Sequence, residues 1–144
     1  MAGQEEAVVD ASVAVKWFSD EEGTANALII RQSHVEGERM LIAPDLILYE
    51  LSNALRFKPG FDQDMVARAV EDLLNIQIEL IGPTKELIKE SSALAYRCGI
   101  TIYDSCYIAL GQLLGIHVYT SDKQLYQQAK ETGIIKLIDT QSEH

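Results

Sequence analysis

Four acidic residues lie in surroundings that are too apolar for ordinary surface carboxylates. Asp10 and Asp122 each come just after a short apolar run, Glu50 lies inside an apolar helical pattern, and Asp104 lies at the start of another. Two unit charges roughly 4 Å apart repel by about 4 kcal/mol at an effective dielectric constant of about 20. Divalent cations relieve such repulsion, and ligand sets made only of oxygens favour Mg²⁺ or Mn²⁺ over Zn²⁺. If the four acids converge, they therefore predict a Mg²⁺ or Mn²⁺ site.

Glu50 is the most informative of the four acids. Successive helical residues are about 100° apart, which places Glu50 on one face with Leu46, Ile47, Ala54 and Phe57. A carboxylate on such a face costs several kcal/mol unless it is paired or binds a cation. A buried salt bridge, or a protonated Glu50, is the structural alternative.

The other three acids each have a structural explanation in helix capping. Asp10 could cap a helix that begins near Ser12, and Asp122 could lie in the first turn of a helix that Ser121 caps. Asp104 fits the acidic position of a capping box. Capping accounts for these acids one at a time but gives no reason for Glu50. The complete set therefore favours a shared site.

The elements that must position these acids alternate along the chain. Apolar runs, most of them rich in β-branched residues, predict strands at 7–9, 40–43, 76–81, 116–119 and 134–138. Helical periodicity predicts helices near 12–18, 24–36, 45–57, 62–75, 84–98, 104–115 and 122–132. This alternation indicates one α/β domain over residues 1–144, with a mostly parallel sheet. Asp10 and Asp122 then lie at the carboxyl ends of strands, where ligands bind in such sheets.

Charge and composition restrict the function classes. The 144 residues carry a formal net charge of −10, so the chain does not hold nucleic acid by broad phosphate neutralisation. Lys16, Arg56, Lys58 and Lys123 are the candidates for local phosphate contacts. No membrane span or secretory signal is visible, and two isolated cysteines, Cys98 and Cys106, are expected to be reduced and buried. We therefore expect a cytoplasmic protein.

The four acids stand in four ordered motifs. They are Val-Val-Asp-Ala-Ser at 8–12, a P-x-L-x-x-x-E-x-x-N-x-L pattern at 44–55, Asp-Ser-Cys-Tyr-Ile-Ala-Leu at 104–110 and Thr-Ser-Asp at 120–122. In this order and spacing the chain resembles the PIN-domain nucleases over nearly its whole length. Within that family it is most similar to the toxin subunits of VapBC-type toxin–antitoxin pairs.

The resemblance implies a fold and a set of site residues. The fold would be a three-layer α/β sandwich with a five-stranded parallel sheet of order 3-2-1-4-5. The implied ligands of Mg²⁺ or Mn²⁺, directly or through water, are Asp10, Glu50, Asp104 and Asp122, with Ser12 and Thr120 in support. Many members carry a further acid or Asn soon after the last Asp, where this chain has Lys123, Gln124 and Leu125. That departure argues against a tightly held second metal.

The leading function is a metal-dependent endoribonuclease, the toxin of a toxin–antitoxin pair, with RNA as substrate and a small antitoxin protein as partner. A homodimer is also expected, because residues 61–78 and 45–57 offer more apolar surface than one sheet face requires. A non-catalytic PIN-like binding module is the alternative, against which the intact acid set argues. A phosphotransferase of the haloacid-dehalogenase type would need a D-x-D motif, and its third position here is Ser12.

Overall fold

The computed structural model describes residues 4–138. Five strands are present, β1 (Glu5–Val9), β2 (Arg39–Pro44), β3 (Glu79–Ile81), β4 (His117–Thr120) and β5 (Ile135–Leu137). Seven α-helices are α1 (Ala11–Val15), α2 (Thr24–Val35), α3 (Leu46–Arg56), α4 (Gln63–Asn75), α5 (Lys85–Cys98), α6 (Ile102–Leu114) and α7 (Lys123–Ala129). A single 3₁₀ turn, Lys130–Thr132, follows α7. None of the helices in this part of the chain is long and apolar enough to cross a bilayer.

The strands form one parallel sheet of order β3-β2-β1-β4-β5, with helices on both faces. The predicted sheet order and sandwich architecture are therefore confirmed. The central strand β1 pairs with both neighbours, and Val8 lies opposite Ile42 of β2 and Val118 of β4. Val8 and Val9 are fully buried, as expected for a strand that helices cover on both sides. The carboxyl ends of β1 and β4 consequently lie side by side.

The third predicted strand begins later than its apolar run. Ile76 ends helix α4, and Gln77 has a φ of 60°, so the chain turns before it enters β3 at Glu79. The buried imidazole of His34 fixes this turn. Its Nδ1 accepts from the Leu41 N–H at 3.0 Å, so its Nε2 carries the proton and donates to the Ile76 carbonyl at 2.6 Å. This bond holds the end of α4 against α2.

Two predicted helices are shorter than their patterns indicate, and a third begins earlier. The helix expected over 12–18 ends at Val15, and the one expected over 122–132 ends at Ala129 before its 3₁₀ turn. The helix expected from Asp104 begins at Ile102, because Thr101 caps it. Asp104 therefore lies in the first turn of α6 and not at its first residue.

Helix α6 approaches the sheet closely at one glycine. A Cβ atom built on Gly111 would lie 2.5 Å from Cγ2 of Val118, 3.0 Å from the Ile116 carbonyl oxygen and 3.1 Å from Cδ1 of Ile134. The backbone oxygen cannot move aside as a flexible side chain can. Glycine therefore sets the distance between α6, which carries Asp104, and β4, which leads to Asp122.

We predict that Gly111→Ala lowers the free energy of unfolding by about 1–3 kcal/mol, because overpacking outweighs the helix propensity that alanine gains. The control is Gln112→Ala on the same helix, which adds no atoms toward the sheet. Urea unfolding of both variants checks this prediction. A Gly111→Ala protein as stable as the wild type would show that α6 shifts freely against β4.

Candidate functional site

The centre of the carboxyl edge of the sheet is the buried carboxylate of Asp10. It directly follows β1 and caps α1, and only 4% of the residue is exposed. Its Oδ1 accepts from the Ser12 hydroxyl at 2.6 Å and from the Val13 N–H at 3.2 Å. Its Oδ2 accepts from the Thr120 hydroxyl at 2.5 Å. Three donors thus fix the carboxylate, and all three are uncharged.

The two hydroxyls are themselves oriented by the backbone after β4. The Ser121 N–H donates to Ser12 Oγ at 2.8 Å, and the Asp122 N–H donates to Thr120 Oγ1 at 3.0 Å. Each hydroxyl has one proton, and each is 2.5–2.6 Å from an Asp10 oxygen, so both protons point at that carboxylate. These hydrogen bonds connect the end of β4 to the end of β1.

Asp104 and Asp122 line a cavity of about 310 Å³ at the same edge. Asp122 itself caps α7, because its Oδ1 accepts from the Leu125 N–H at 3.0 Å. The alternative in which Ser121 caps that helix is therefore wrong by one residue. The Asp104 N–H donates to the Thr101 hydroxyl at 3.0 Å, which matches the predicted cap of α6. Asp122 is exposed and Asp104 is half-buried, so both carboxylates are accessible to a ligand.

Glu50 lies at the edge of the buried face of α3. Its Oε1 accepts from the Tyr107 hydroxyl at 2.7 Å. The buried residues of the helix are Ile47, Leu51 and Leu55, and Glu50 beside them is half-buried. Phe57, predicted on the buried face, is 72% exposed, because it follows the last turn of the helix. Within residues 4–138 Glu50 has no ion pair, so the buried salt bridge is not found.

Burial raises the pKa of Asp10 to about 6. Hydrogen bonds from Ser12, Thr120 and Val13 act in the opposite direction, and the negative charge of Asp122 adds to the increase. The carboxylate of Asp10 is thus costly to ionise, even with three donors bound to it. A positive charge brought to this edge would lower that cost.

The other pKa shifts connect each acid with a neighbouring one. Burial raises the pKa of Glu50, against the Tyr107 hydrogen bond, and the charge of Asp104 raises it further. Burial and the charge of Asp122 raise the pKa of Asp104. No Lys or Arg of the described chain forms an ion pair with these carboxylates. Among residues 4–138, no group of three or more His, Cys, Asp or Glu side chains lies close enough together to hold a metal ion in this arrangement.

The four predicted phosphate contacts divide into two pairs. Lys16 is buried, bonds to the Glu22 carbonyl and lies 3.3 Å from Glu21, whose other oxygen is 2.7 Å from Lys58. Both ammonium groups are therefore engaged within the protein. Arg56 is exposed and stacks on Phe57, and Lys123 is 66% exposed with only a 3.9 Å contact to Glu22. The second pair remains available to a phosphate.

Sequence reasoning assigned no role to Glu21 or Tyr107. Burial acts to raise the pKa of Glu21, but hydrogen bonds from Lys58, Ser19 and Lys16 outweigh it and hold the pKa below its usual value. No periodicity signals such a loop contact. A signal for Tyr107 does exist, because a tyrosine inside an apolar helix needs a hydrogen-bond partner for its hydroxyl.

The comparison with known sequences agrees with the motifs. The family model described as PIN domain matches residues 7–131. The chain is 30% identical over 125 residues to Ribonuclease VapC3 of Pyrobaculum aerophilum, a match that covers 84% of this chain and 92% of that protein.

Solved structures share the fold. The crystal structure of Mycobacterium tuberculosis VapC20, described as a toxin that cleaves the sarcin-ricin loop, has a TM-score of 0.68 at 14% identity and covers 85% of this chain and 95% of that one. The structure of VapBC2 from Rickettsia felis, bound to a fragment of promoter DNA, has a TM-score of 0.62 at 10% identity, covering 92% and 98%. Fold, motif order and family match agree, and the chain belongs to the PIN domain family.

Proposed function

We propose that this protein is a metal-dependent endoribonuclease and the toxin of a toxin–antitoxin pair. The observation that carries the proposal is the series of four interacting carboxylates, which no basic side chain of the described residues neutralises. A merely structural cluster would be expected to contain its own cations, because unpaired buried charge is destabilising. The relationship to Ribonuclease VapC3 supports RNA as the substrate.

The donor set fits Mg²⁺ or Mn²⁺. Asp10, Glu50, Asp104 and Asp122 offer only carboxylate oxygens, and water would complete the coordination shell, as is usual for Mg²⁺. The three positions after Asp122 are Lys123, Gln124 and Leu125 and supply no further acid or Asn, so we propose one firmly held cation. When bound, the divalent cation polarises the scissile phosphodiester and helps to deprotonate the attacking water.

The side chains of the protein have separate tasks in this proposal. Ser12 and Thr120 hold the carboxylate of Asp10 in place, so that no reorientation is needed when the site is loaded. The cavity beside Asp104 admits the RNA backbone to the acids. Lys123 at the start of α7 and Arg56 at the end of α3 are the remaining candidates for contacts to the phosphate backbone of the RNA.

We propose two protein partners, a second copy of this chain and a small antitoxin. The R. felis VapBC2 complex supports the antitoxin. Two exposed aromatic side chains support self-association. Tyr49 on α3 is 75% exposed, and Phe57, directly after α3, is 72% exposed. We propose the cytoplasm as the compartment, where the free thiols of Cys98 and Cys106 stay reduced.

Without metal, the free energy of unfolding should fall as the pH rises from about 4 to about 6. The pKa of Asp10 is about 6 in the folded protein, compared with 3.8 for an aspartate that is not buried. The folded state therefore binds more protons than the unfolded state in this pH window. The shift corresponds to about 3 kcal/mol at neutral pH. The raised pKa values of Glu50 and Asp104 act in the same direction.

Mn²⁺ should reverse much of this loss, and by more at pH 7.5 than at pH 5, because ligands must be deprotonated. Asp104→Asn should reduce the stabilisation by Mn²⁺. The control is Asp64→Asn, which changes the acid in the first turn of α4. Urea unfolding with EDTA or with millimolar Mn²⁺ measures each effect. An unchanged unfolding free energy of the wild type in Mn²⁺ would count against the metal site.

Glu50→Gln should abolish cleavage without weakening the fold. The amide oxygen can still accept from Tyr107, and loss of the charge removes the repulsion from Asp104. We expect the cleavage rate in Mn²⁺ to fall at least about 100-fold, while the metal-free unfolding free energy stays equal or rises. The control is Glu71→Gln on the exposed side of α4. RNA that is bound but never cleaved by the wild type with Mn²⁺ would instead favour the non-catalytic binding module.

The protein should be a dimer at micromolar concentration, with twice the 16.0 kDa mass of one chain. Tyr49→Ser should shift it toward the monomer, because the exposed ring loses its apolar contact area. The control is Tyr96→Ser, which removes a 90% exposed ring from α5. Light scattering measures both variants. A monomeric wild type would refute the dimer, and dissociation by both variants alike would place the interface elsewhere.

A further inference from the structure

We propose that Tyr107 is a positioning residue that fixes the carboxylate of Glu50 toward the metal position. The inference rests on the proposed function, since it concerns how the same site gathers its cation. It assigns a task to a side chain that does not itself belong to the ligand set. Tyr107 would act through Glu50 alone and would not contact the RNA.

The geometry of the pair is that of a rigid donor and a mobile acceptor. Tyr107 is 1% exposed and its ring packs in the hydrophobic core, so it holds one orientation. Its hydroxyl donates to Glu50 Oε1 at 2.7 Å, across 57 residues of sequence. Glu50 is half-buried on a long side chain, which samples several rotamers when nothing holds it. The bond from the core therefore selects one of them.

The hydroxyl lies at the base of the acidic site. Tyr107 follows Asp104 by three residues on α6, a spacing that places two side chains on the same side of a helix. From that side of α6, the Tyr107 hydroxyl reaches Glu50 of α3. Tyr107 thus connects α3 to α6 beside the acids that the two helices carry.

A neutral donor suits this position better than a basic side chain. An Arg or Lys at this place would orient Glu50 but would also cancel the charge that attracts a divalent cation. A tyrosine hydroxyl supplies one proton, occupies one oxygen and leaves the charge of the carboxylate at −1. Oε2 of Glu50, to which no described residue donates, remains for the cation. Ser12 and Thr120 hold Asp10 by the same means.

The test measures Mn²⁺ affinity by titration calorimetry of the full chain. Tyr107→Phe keeps the ring in the core, and we expect it to weaken Mn²⁺ binding about 10-fold to 100-fold, as loss of a residue that orients a ligand does. The matched control is Tyr119→Phe. Its ring is also buried, but it lies 5.1 Å below the Arg39 guanidinium at the start of β2. Tyr119→Phe should bind Mn²⁺ like the wild type.

A double-mutant cycle with Glu50→Ala, which removes the acceptor of the Tyr107 bond, separates positioning from a general structural effect. If Tyr107 acts through Glu50, adding Tyr107→Phe to Glu50→Ala leaves the Mn²⁺ affinity of the single Glu50→Ala variant unchanged. Independent, multiplying losses would overturn the inference. Wild-type affinity in Tyr107→Phe would overturn it while leaving the metal-dependent nuclease intact. Failure of the wild type to bind Mn²⁺ would overturn both.

Discussion

Asp10 carries its carboxylate into the protein at the end of the central strand, and the donors that reach it there are two hydroxyls and one amide. Hydrogen bonds of this kind orient a carboxylate without neutralising it. These hydrogen bonds depend on the order of the strands, because Thr120 at the end of β4 reaches Asp10 only when β4 lies next to β1. The charge that results has no internal counterion among residues 4–138, and the rest of the edge is arranged around it.

Capping and cation binding are compatible at this edge. Asp10 caps α1, Asp122 caps α7 and Asp104 lies in the first turn of α6. A carboxylate has about four lone-pair positions, so the capping bond of Asp122 leaves most of its capacity unused, and the three bonds to Asp10 leave it about one position. The positive ends of the helix dipoles also reduce the cost of gathering acids. The position of each acid at a helix N-terminus is therefore compatible with a role in a shared site.

The sequence predicted the sheet because its strands are short, apolar and β-branched. The shared site of the four acids, inferred because acids rarely occur in such surroundings, stays a prediction. Prediction from the sequence failed where a contact comes from distant residues. The run at 76–81 reads as one strand, but a φ of 60° at Gln77 divides it. Lys16 was a candidate for a phosphate contact, but it is buried against the loop that carries Glu21. Neither feature leaves a periodic trace in the local sequence.

The internal ion pairs limit how many bases of the chain could attract RNA under the proposed function. Glu21 occupies both Lys16 and Lys58, which removes two bases from any role in attracting phosphate. Arg56 and Lys123 remain exposed, against a net charge of −10. Two bases cannot neutralise a phosphate backbone, because each contact contributes only its own counterion release. Under the proposed function, attraction of RNA to the acidic edge would come mainly from a bound cation, so that loading the site and admitting the substrate would be one linked event. The neutral donors on Asp10 and Glu50 would serve that linkage, because they leave the charge of both carboxylates to attract the cation.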